Sequence, residues 1–393
     1  MPSDKYPILA PGHNLRKLES PLVYDICEDE LYELDEEAFN LLIKCNGMNP
    51  ASNILIDRES TEVIEFMLDE GIIVMKEGED YRKIKIPYSP IPSLRYLLLN
   101  ISDKCNLTCK HCYLGNPGKL EMDIAIFENT ISQFEDMGGL KLMISGGEPL
   151  LHSGFWELMK ILPSYELRVV ILSNGTLIDE TTAKKLSHYV HEVQVSIDGI
   201  HSHDILRGKG SYSKALRGIS NLTKSGVPVS IASMIHKFNA MEFQEMATHF
   251  STLGAISWNV DVPCITGALA ENREFALDVK EAAQYLKYGF GAGAHESTGD
   301  YTCGSHLCSV FPDGSVSKCG FFRNEPVGNS NDLRSAWEEL CRKYLFNLND
   351  LDCRDCTKIR DCKGGCRFRA KQYGGIYGPD PLMCHANGIT CQI

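Results

Sequence analysis

Sixteen cysteines in a chain of 393 residues constrain this protein more than any other feature. The opening residues, Met1-Pro2-Ser3-Asp4-Lys5-Tyr6, hold no apolar stretch of signal-peptide length, so a cytoplasmic location is expected. In a reducing compartment thiols serve metal or redox chemistry rather than a disulfide framework. Their distribution is uneven. Cys105, Cys109 and Cys112 share one short stretch, most of the others fall from Cys303 to Cys391, and Cys27, Cys45, Cys264 and Cys341 are scattered.

Composition bounds the rest. Hydrophobic residues at 43% and charged residues at 23% describe an ordinary globular protein, with apolar material for two or three domains. The formal net charge of −13 argues against a nucleic-acid partner, which would need a basic footprint. No apolar run is long enough to span a bilayer, so no membrane association is expected.

Residues 1–90 read as a small separate unit. Leu22–Ile26 and Leu31–Leu34 are strand-like, and Asp35-Glu36-Glu37 opens a helix with acids suited to its first turn. A second helix is expected over Ser60–Leu68 and a closing strand over Gly71–Met75. Pro87, Pro90 and Pro92 mark a linker. From Leu94 to about Val262 strands alternate with helices. The strands are expected at Tyr96–Ile101, Leu140–Ile144, Leu167–Leu172, Glu192–Ile197, Val227–Met234 and Ala255–Val260. Helices are expected at Met122–Met137, Phe155–Leu162, Glu180–Leu186 and Tyr212–Ser225. Such alternation predicts an α/β fold with parallel strands in a closed or partial barrel. Residues 263–300 look helical and polar. The last 90 or so, rich in Cys and Gly with few apolar runs, should need metal to hold together.

Cys105-x3-Cys109-x2-Cys112 follows the first of the alternating strands, where barrel enzymes keep their active sites. Three thiolates at this spacing can hold three irons of a [4Fe–4S] cube and leave the fourth open to a ligand. A zinc knuckle is the competing reading, although it usually shows four ligands nearby. With the aromatic Tyr113 behind it, the motif resembles that of radical S-adenosylmethionine (SAM) enzymes. The resemblance extends over residues 94–262 and implies a partial (β/α)6 barrel. Ser145-Gly146-Gly147-Glu148-Pro149 resembles the motif that holds the SAM amino group. Ser173-Asn174-Gly175 and Ser196-Ile197-Asp198-Gly199 match strand ends that contact SAM, and Arg207 resembles an arginine that pairs with its carboxylate. Taken singly, Gly-Gly, Asn-Gly and Asp-Gly are ordinary turn dipeptides. What the family does follows from its cofactors: a reduced cluster passes one electron to SAM, and the resulting 5′-deoxyadenosyl radical takes a hydrogen from an unactivated carbon.

The tail is similar to the SPASM domain, with spacings Cys303-x10-Gly314-x4-Cys319 and Cys353-x2-Cys356-x5-Cys362-x3-Cys366-x17-Cys384. The resemblance implies two auxiliary [4Fe–4S] clusters, three in all. One would take Cys303, Cys319, Cys366 and, as the ligand the pattern does not fix, Cys308, with Cys391 a substitute. The other would take Cys353, Cys356, Cys362 and Cys384. Cys27, Cys45, Cys264, Cys341 and Cys391 are left as small buried hydrophobes. Cys264, after the sixth strand, is also the one weak catalytic candidate, as a hydrogen donor. Sulfatase-maturating relatives place an acid directly after the cysteine matching Cys319. Here Gly320 stands there.

The order of elements in residues 1–90, and the stretch Leu31–Phe39 in particular, resembles the PqqD-like peptide-recognition element. That implies a winged-helix-like α+β domain binding the leader of a precursor peptide as an added strand. The acidity of the stretch argues against DNA. The expected layout is thus residues 1–90 for peptide recognition, 91–265 for the barrel, 266–302 as a helical linker and 303–393 as the Cys-rich SPASM domain. The expected function is radical maturation of a ribosomally made peptide or protein, with an electron donor such as ferredoxin or flavodoxin, giving a crosslink, thioether or oxidised product. Two alternatives stand beside it: modification of a small molecule such as a tetrapyrrole side chain, and a non-enzymatic iron–sulfur electron carrier.

Overall fold

A computed structural model describes residues 5–290 and 299–390. The chain divides into two compact units. One comprises the residues up to Arg95 with Ser132–Leu140 and Ser164–Arg168, and the other comprises the remainder.

The first unit carries β1 (Tyr6–Leu9), β2 (His13–Lys17), β3 (Pro21–Asp25), β4 (Glu30–Glu33), α1 (Glu36–Lys44), α2 (Arg58–Asp69) and β5 (Ile73–Lys76). Strands β2, β3 and β4 form an antiparallel sheet, and β1 pairs antiparallel with β5. Asp35 caps α1 by accepting from the Ala38 N–H, and Glu36 and Glu37 occupy its positive first turn. Asp57 and Ser60 close a capping box on α2. The apolar faces of both helices meet the sheet side chain Val23 through Phe39, Leu42, Ile64 and Met67. Strands β1 and β2 were not legible in the sequence. Strand β2 reads His-Asn-Leu-Arg-Lys, yet Arg16 is fully buried because its guanidinium donates to the Glu166 carbonyl at 2.9 Å.

The second unit is built on β6 (Tyr96–Ser102), α3 (Ile124–Asp136), β7 (Lys141–Gly146), α4 (Phe155–Ile161), β8 (Arg168–Ser173), α5 (Glu180–Leu186), β9 (Glu192–Ser196), α6 (His203–Arg207), α7 (Ser211–Lys224), β10 (Val229–Met234), α8 (Phe243–Phe250) and β11 (Ser257–Asp261). The expected α/β class holds, with a mostly parallel central sheet in the order β11-β10-β9-β8-β7-β6. The sheet then continues where the sequence suggested a separate domain. Strand β12 (Leu307–Val310) adds to β6 in parallel, and β13 (Ser315–Ser317) and β14 (Gly328–Asn329) extend it antiparallel.

Between β11 and β12 the described residues hold only short helices, α9 (Ala268–Glu271) and α10 (Val279–Ala282). The tail carries α11 (Leu333–Tyr344), α12 (Ile359–Cys362), α13 (Arg367–Tyr373) and α14 (Pro381–Ala386). The tail also has packing of its own: helix α11 is capped by Asp332 and buries Leu333, Ala336, Trp337, Leu340 and Tyr344 along one face. Among the described residues no helix is long and apolar enough to cross a membrane.

Candidate functional site

The C-terminal ends of the parallel strands open onto one cavity of about 830 Å³. The loop after β6 brings Cys105, Cys109, Cys112 and Tyr113 to its wall. The segment at the end of β7 brings Ser145, Gly146 and Gly147, the end of β8 brings Ser173 and Asn174, and the end of β9 brings Ser196. Helix α6 adds Arg207. Residues far apart in sequence thus meet because each follows a neighbouring parallel strand.

Glu148, Pro149 and Asp198 are not on that wall. Glu148 is fully buried behind it and accepts from the Ser173 hydroxyl and the Asn174 N–H, each at 2.9 Å. Burial pushes its carboxyl up to about 7 against these hydrogen bonds. Glu148 therefore fixes two cavity residues from behind. Pro149 is buried at the start of a short turn. The glycines have a steric reason in the fold itself. A Cβ on Gly146 would stand 2.3 Å from the Ser102 carbonyl oxygen, and one on Gly147 would stand 2.4 Å from that of Lys104. The Gly147 and Glu148 N–H groups donate to those carbonyls, both at 2.7 Å. Glycine here lets the strand end press against the root of the cysteine loop.

Arg207 is held from behind as well. Its Nε donates to the buried carboxylate of Asp198, and its Nη2 lies 3.5 Å from His111 Nε2. Burial works against the Asp198 charge, yet the guanidinium beside it holds the carboxyl well below the usual range. Burial also pushes the His111 imidazole down to about 3, so it stands neutral between Cys109 and Cys112 in sequence, with Nδ1 unpartnered. Neither His111 nor Asn100, whose side-chain oxygen lies 3.3 Å from the Tyr113 hydroxyl, was marked in the sequence. Nothing in a single sequence signals either role.

The thiols fit an iron–sulfur group chemically. Burial raises Cys105 and Cys112 and pushes Cys109 up to about 11, so in bare protein these buried groups stay protonated, and iron would supply the missing charge partner. Among the described residues no three Cys, His, Asp or Glu side chains converge tightly enough for a single metal ion. Cys105, Cys109 and Cys112 all line the cavity from one loop, and three thiolates can hold three irons of a cube.

The same cavity is also lined by Cys303, Cys319 and Cys366. Cys308 is not with them, contrary to the expectation. It lies on β12, where side chains alternate between faces. Leu307 faces the cavity, so Cys308 points the other way, fully buried opposite Leu97 in register. Cys264 lines the cavity instead; with Cys366 as its neighbour its thiol is raised, while the Cys366 thiol is lowered. Cys353, Cys356, Cys362 and Cys384 surround a separate small hollow. Of the thiols read as buried hydrophobes, Cys45 is buried, Cys341 is half-buried, and Cys27 is exposed and so departs from that reading. Cys391 lies outside the described residues. Lys318, which the sequence reading passed over, is buried on the cavity wall with its ammonium unpartnered. At Gly320 a Cβ would stand 2.6 Å from the Tyr113 ring, so an acid there would have no room.

Comparison with known proteins agrees with this architecture. Residues 99–250 match the family model described as the radical SAM superfamily. The chain is 30% identical over 313 residues to the mycofactocin maturase MftC of Mycolicibacterium smegmatis, covering 70% of this chain and 79% of that one. It is 23% identical over 343 residues to the AdoMet-dependent heme synthase of Nitratidesulfovibrio vulgaris, covering 75% and 92%. In fold it is similar to Streptococcus suis SuiB bound to its precursor peptide SuiA, with a TM-score of 0.71 and 14% identity, over 96% of this chain and 99% of that one.

Proposed function

The chain belongs to the radical SAM superfamily and is an enzyme of that kind, and from that premise we propose that it matures a ribosomally made peptide. The observation that carries the proposal is the single cavity shared by the three-thiol loop and by Cys303, Cys319 and Cys366. A substrate held there would share one cavity with both a site of radical generation and an electron acceptor. The similarity to a maturase supports a peptide as that substrate.

In this reading Cys105, Cys109 and Cys112 hold a [4Fe–4S] cluster with one open iron. Gly146, Gly147, Ser173, Asn174, Ser196, Arg207 and Tyr113 surround SAM. Glu148 and Asp198 act through Ser173, Asn174 and Arg207 without touching it. Bound there, the cluster and SAM supply a one-electron C–S cleavage whose adenosyl radical takes a hydrogen atom from the substrate. The tail thiols would hold two further clusters, which would supply an acceptor for the substrate's electron in forming a crosslink, thioether or oxidised product, and a ferredoxin or flavodoxin would supply the starting electron.

Residues 1–90 would bind the leader of the precursor. Strand β4 supports this: among the described residues it pairs only with β3, and Glu30, Leu31 and Glu33 are exposed along it. A peptide strand added to such an edge gains main-chain hydrogen bonds and side-chain register.

The test is anaerobic reconstitution with SAM, dithionite and candidate precursor peptides, read by 5′-deoxyadenosine release and peptide mass. Nucleoside release with loss of hydrogen from a peptide supports maturation. Release without any peptide product, together with a changed tetrapyrrole, would move the reading to the small-molecule alternative that the heme synthase similarity keeps in view.

A further inference from the structure

We infer that Cys264 is the fourth thiolate of the first auxiliary set, joining Cys303, Cys319 and Cys366 in place of Cys308. The inference rests on reading the tail thiols as cluster ligands and concerns which residue completes one set. All four of these residues line the cavity, with Cys264, Cys303 and Cys319 each near enough to Cys366 to interact with it electrostatically, and Cys308 does not line it. Cys264 reaches it from the barrel side, because the loop after β11 is fastened to α13. Arg369 on α13 donates to the Val262 carbonyl at 2.7 Å and to the Asp380 carboxylate at 3.0 Å. Gln372, one turn further on, donates to the Ile265 carbonyl at 2.7 Å. These bonds bracket Cys264 and set it beside Cys366 at the start of the same helix. The far side of the loop is fixed too, since the Ala268 N–H donates to the Cys112 carbonyl at 2.9 Å.

A second observation points to an anionic group at this place. Lys318 is only 4% exposed, lines the cavity beside Cys303 and Cys319, and has no hydrogen-bond partner. A buried ammonium without a partner is costly unless a negative charge stands near it. A cube held by four thiolates is such a charge. A ligated Cys264 carries no thiol proton, so it could not also serve as a hydrogen donor to a substrate radical.

The test uses full-length protein with Cys105, Cys109 and Cys112 replaced by Ala, reconstituted anaerobically, so that only the auxiliary sites are counted. The parent should hold about eight irons. Adding Cys264→Ala should lower this to about four, or leave a three-iron EPR signal after oxidation, as Cys366→Ala should also do. Cys308→Ala should leave iron and spectrum unchanged. Full iron and an unaltered spectrum with Cys264→Ala, or the loss appearing with Cys308→Ala, would overturn the inference. A parent without iron, insensitive to Cys366→Ala, would instead overturn the auxiliary-cluster reading and the inference with it. If Cys264→Ala does not fold, Cys264→Ser keeps a ligand and should shift the midpoint potential of one auxiliary couple while the other stays. Two unmoved couples would count against Cys264.

Discussion

The two cysteine regions are built in opposite ways. Cys105, Cys109 and Cys112 come from one loop, and the protein behind that loop is a finished frame. Gly146 and Gly147 press on its root, and His111 is anchored toward the buried Asp198–Arg207 pair. The tail thiols come from the segment before β12, β13's exit, the run from Cys353 to Cys366 and α14, and Cys303, Cys319 and Cys366 meet at the cavity with Cys264 from the loop after β11 only through tertiary structure. A local set can be preorganised by its own strand and loop. A distributed set couples metal binding to the folding of everything between its ligands.

The sharpest way to break this contrast is to remove each set in turn. Replacing Cys105, Cys109 and Cys112 by Ala should abolish 5′-deoxyadenosine formation while chemical denaturation of the rest stays nearly unchanged. Replacing Cys353 and Cys356 by Ala should lose about four irons and make the tail protease-sensitive, while SAM cleavage survives. Equal protease sensitivity of the two variants would erase the distinction.

The frame behind the first loop is the next place to press. Asp198→Ala would leave the Arg207 charge buried and unpaired, a loss of about 3–5 kcal/mol in urea denaturation of the apoprotein. Asp198→Asn with Arg207→Met should recover much of it, because replacing a whole buried pair costs far less than breaking it. A single-variant loss below about 1 kcal/mol would show that the pair does not brace the loop.

How much of this was legible in the sequence depends on whether the signal was local. The strand–helix alternation gave the strand positions to within about two residues, since each run carries its own apolar pattern. The cavity-lining cysteines Cys105, Cys109, Cys112, Cys303, Cys319 and Cys366 were marked from spacing. Cys308 was misplaced because spacing does not reveal that it sits on a strand, where one residue decides the face. Cys264, Lys318 and His111 were missed or undervalued for a related reason: their roles exist only through partners distant in sequence. Strand β2 and helix α11 show the same limit for packing, one hidden by a polar composition and the other by a mean hydropathy too low to draw notice.

Glu148 offers a smaller, pH-dependent contrast between the wall of the cavity and what stands behind it. Its folded carboxyl lies at about 7, above the ordinary value of 4.5, because of burial. Between those values the folded state binds more protons than the unfolded one, so stability falls as pH rises from about 4.5 to 7. The loss should approach the order of 3 kcal/mol, and Glu148→Gln should flatten the slope, although its single oxygen keeps an acceptor for only one of the two donors, Ser173 and the Asn174 N–H. Parallel stability–pH curves for the two proteins would remove Glu148 as the source.

The smallest effect is expected where the two cysteine regions meet, at Gly320 and Tyr113. The Gly320 backbone is one that any residue adopts, so its requirement for glycine is purely one of space. The Tyr113 ring edge stands 2.6 Å from where a Cβ would lie. Tyr113 is itself fixed by its hydroxyl near Asn100 and by an edge-on contact with Phe321 at 5.6 Å. Gly320→Ala should therefore cost about 1–3 kcal/mol, read as a lowered Tm. Adding Tyr113→Leu should return part of it, because the two positions are in contact and their effects should not add. Additive losses would mean that the aromatic after the first cysteine motif does not exclude a side chain after Cys319, and the absence of an acid at that position would need another cause.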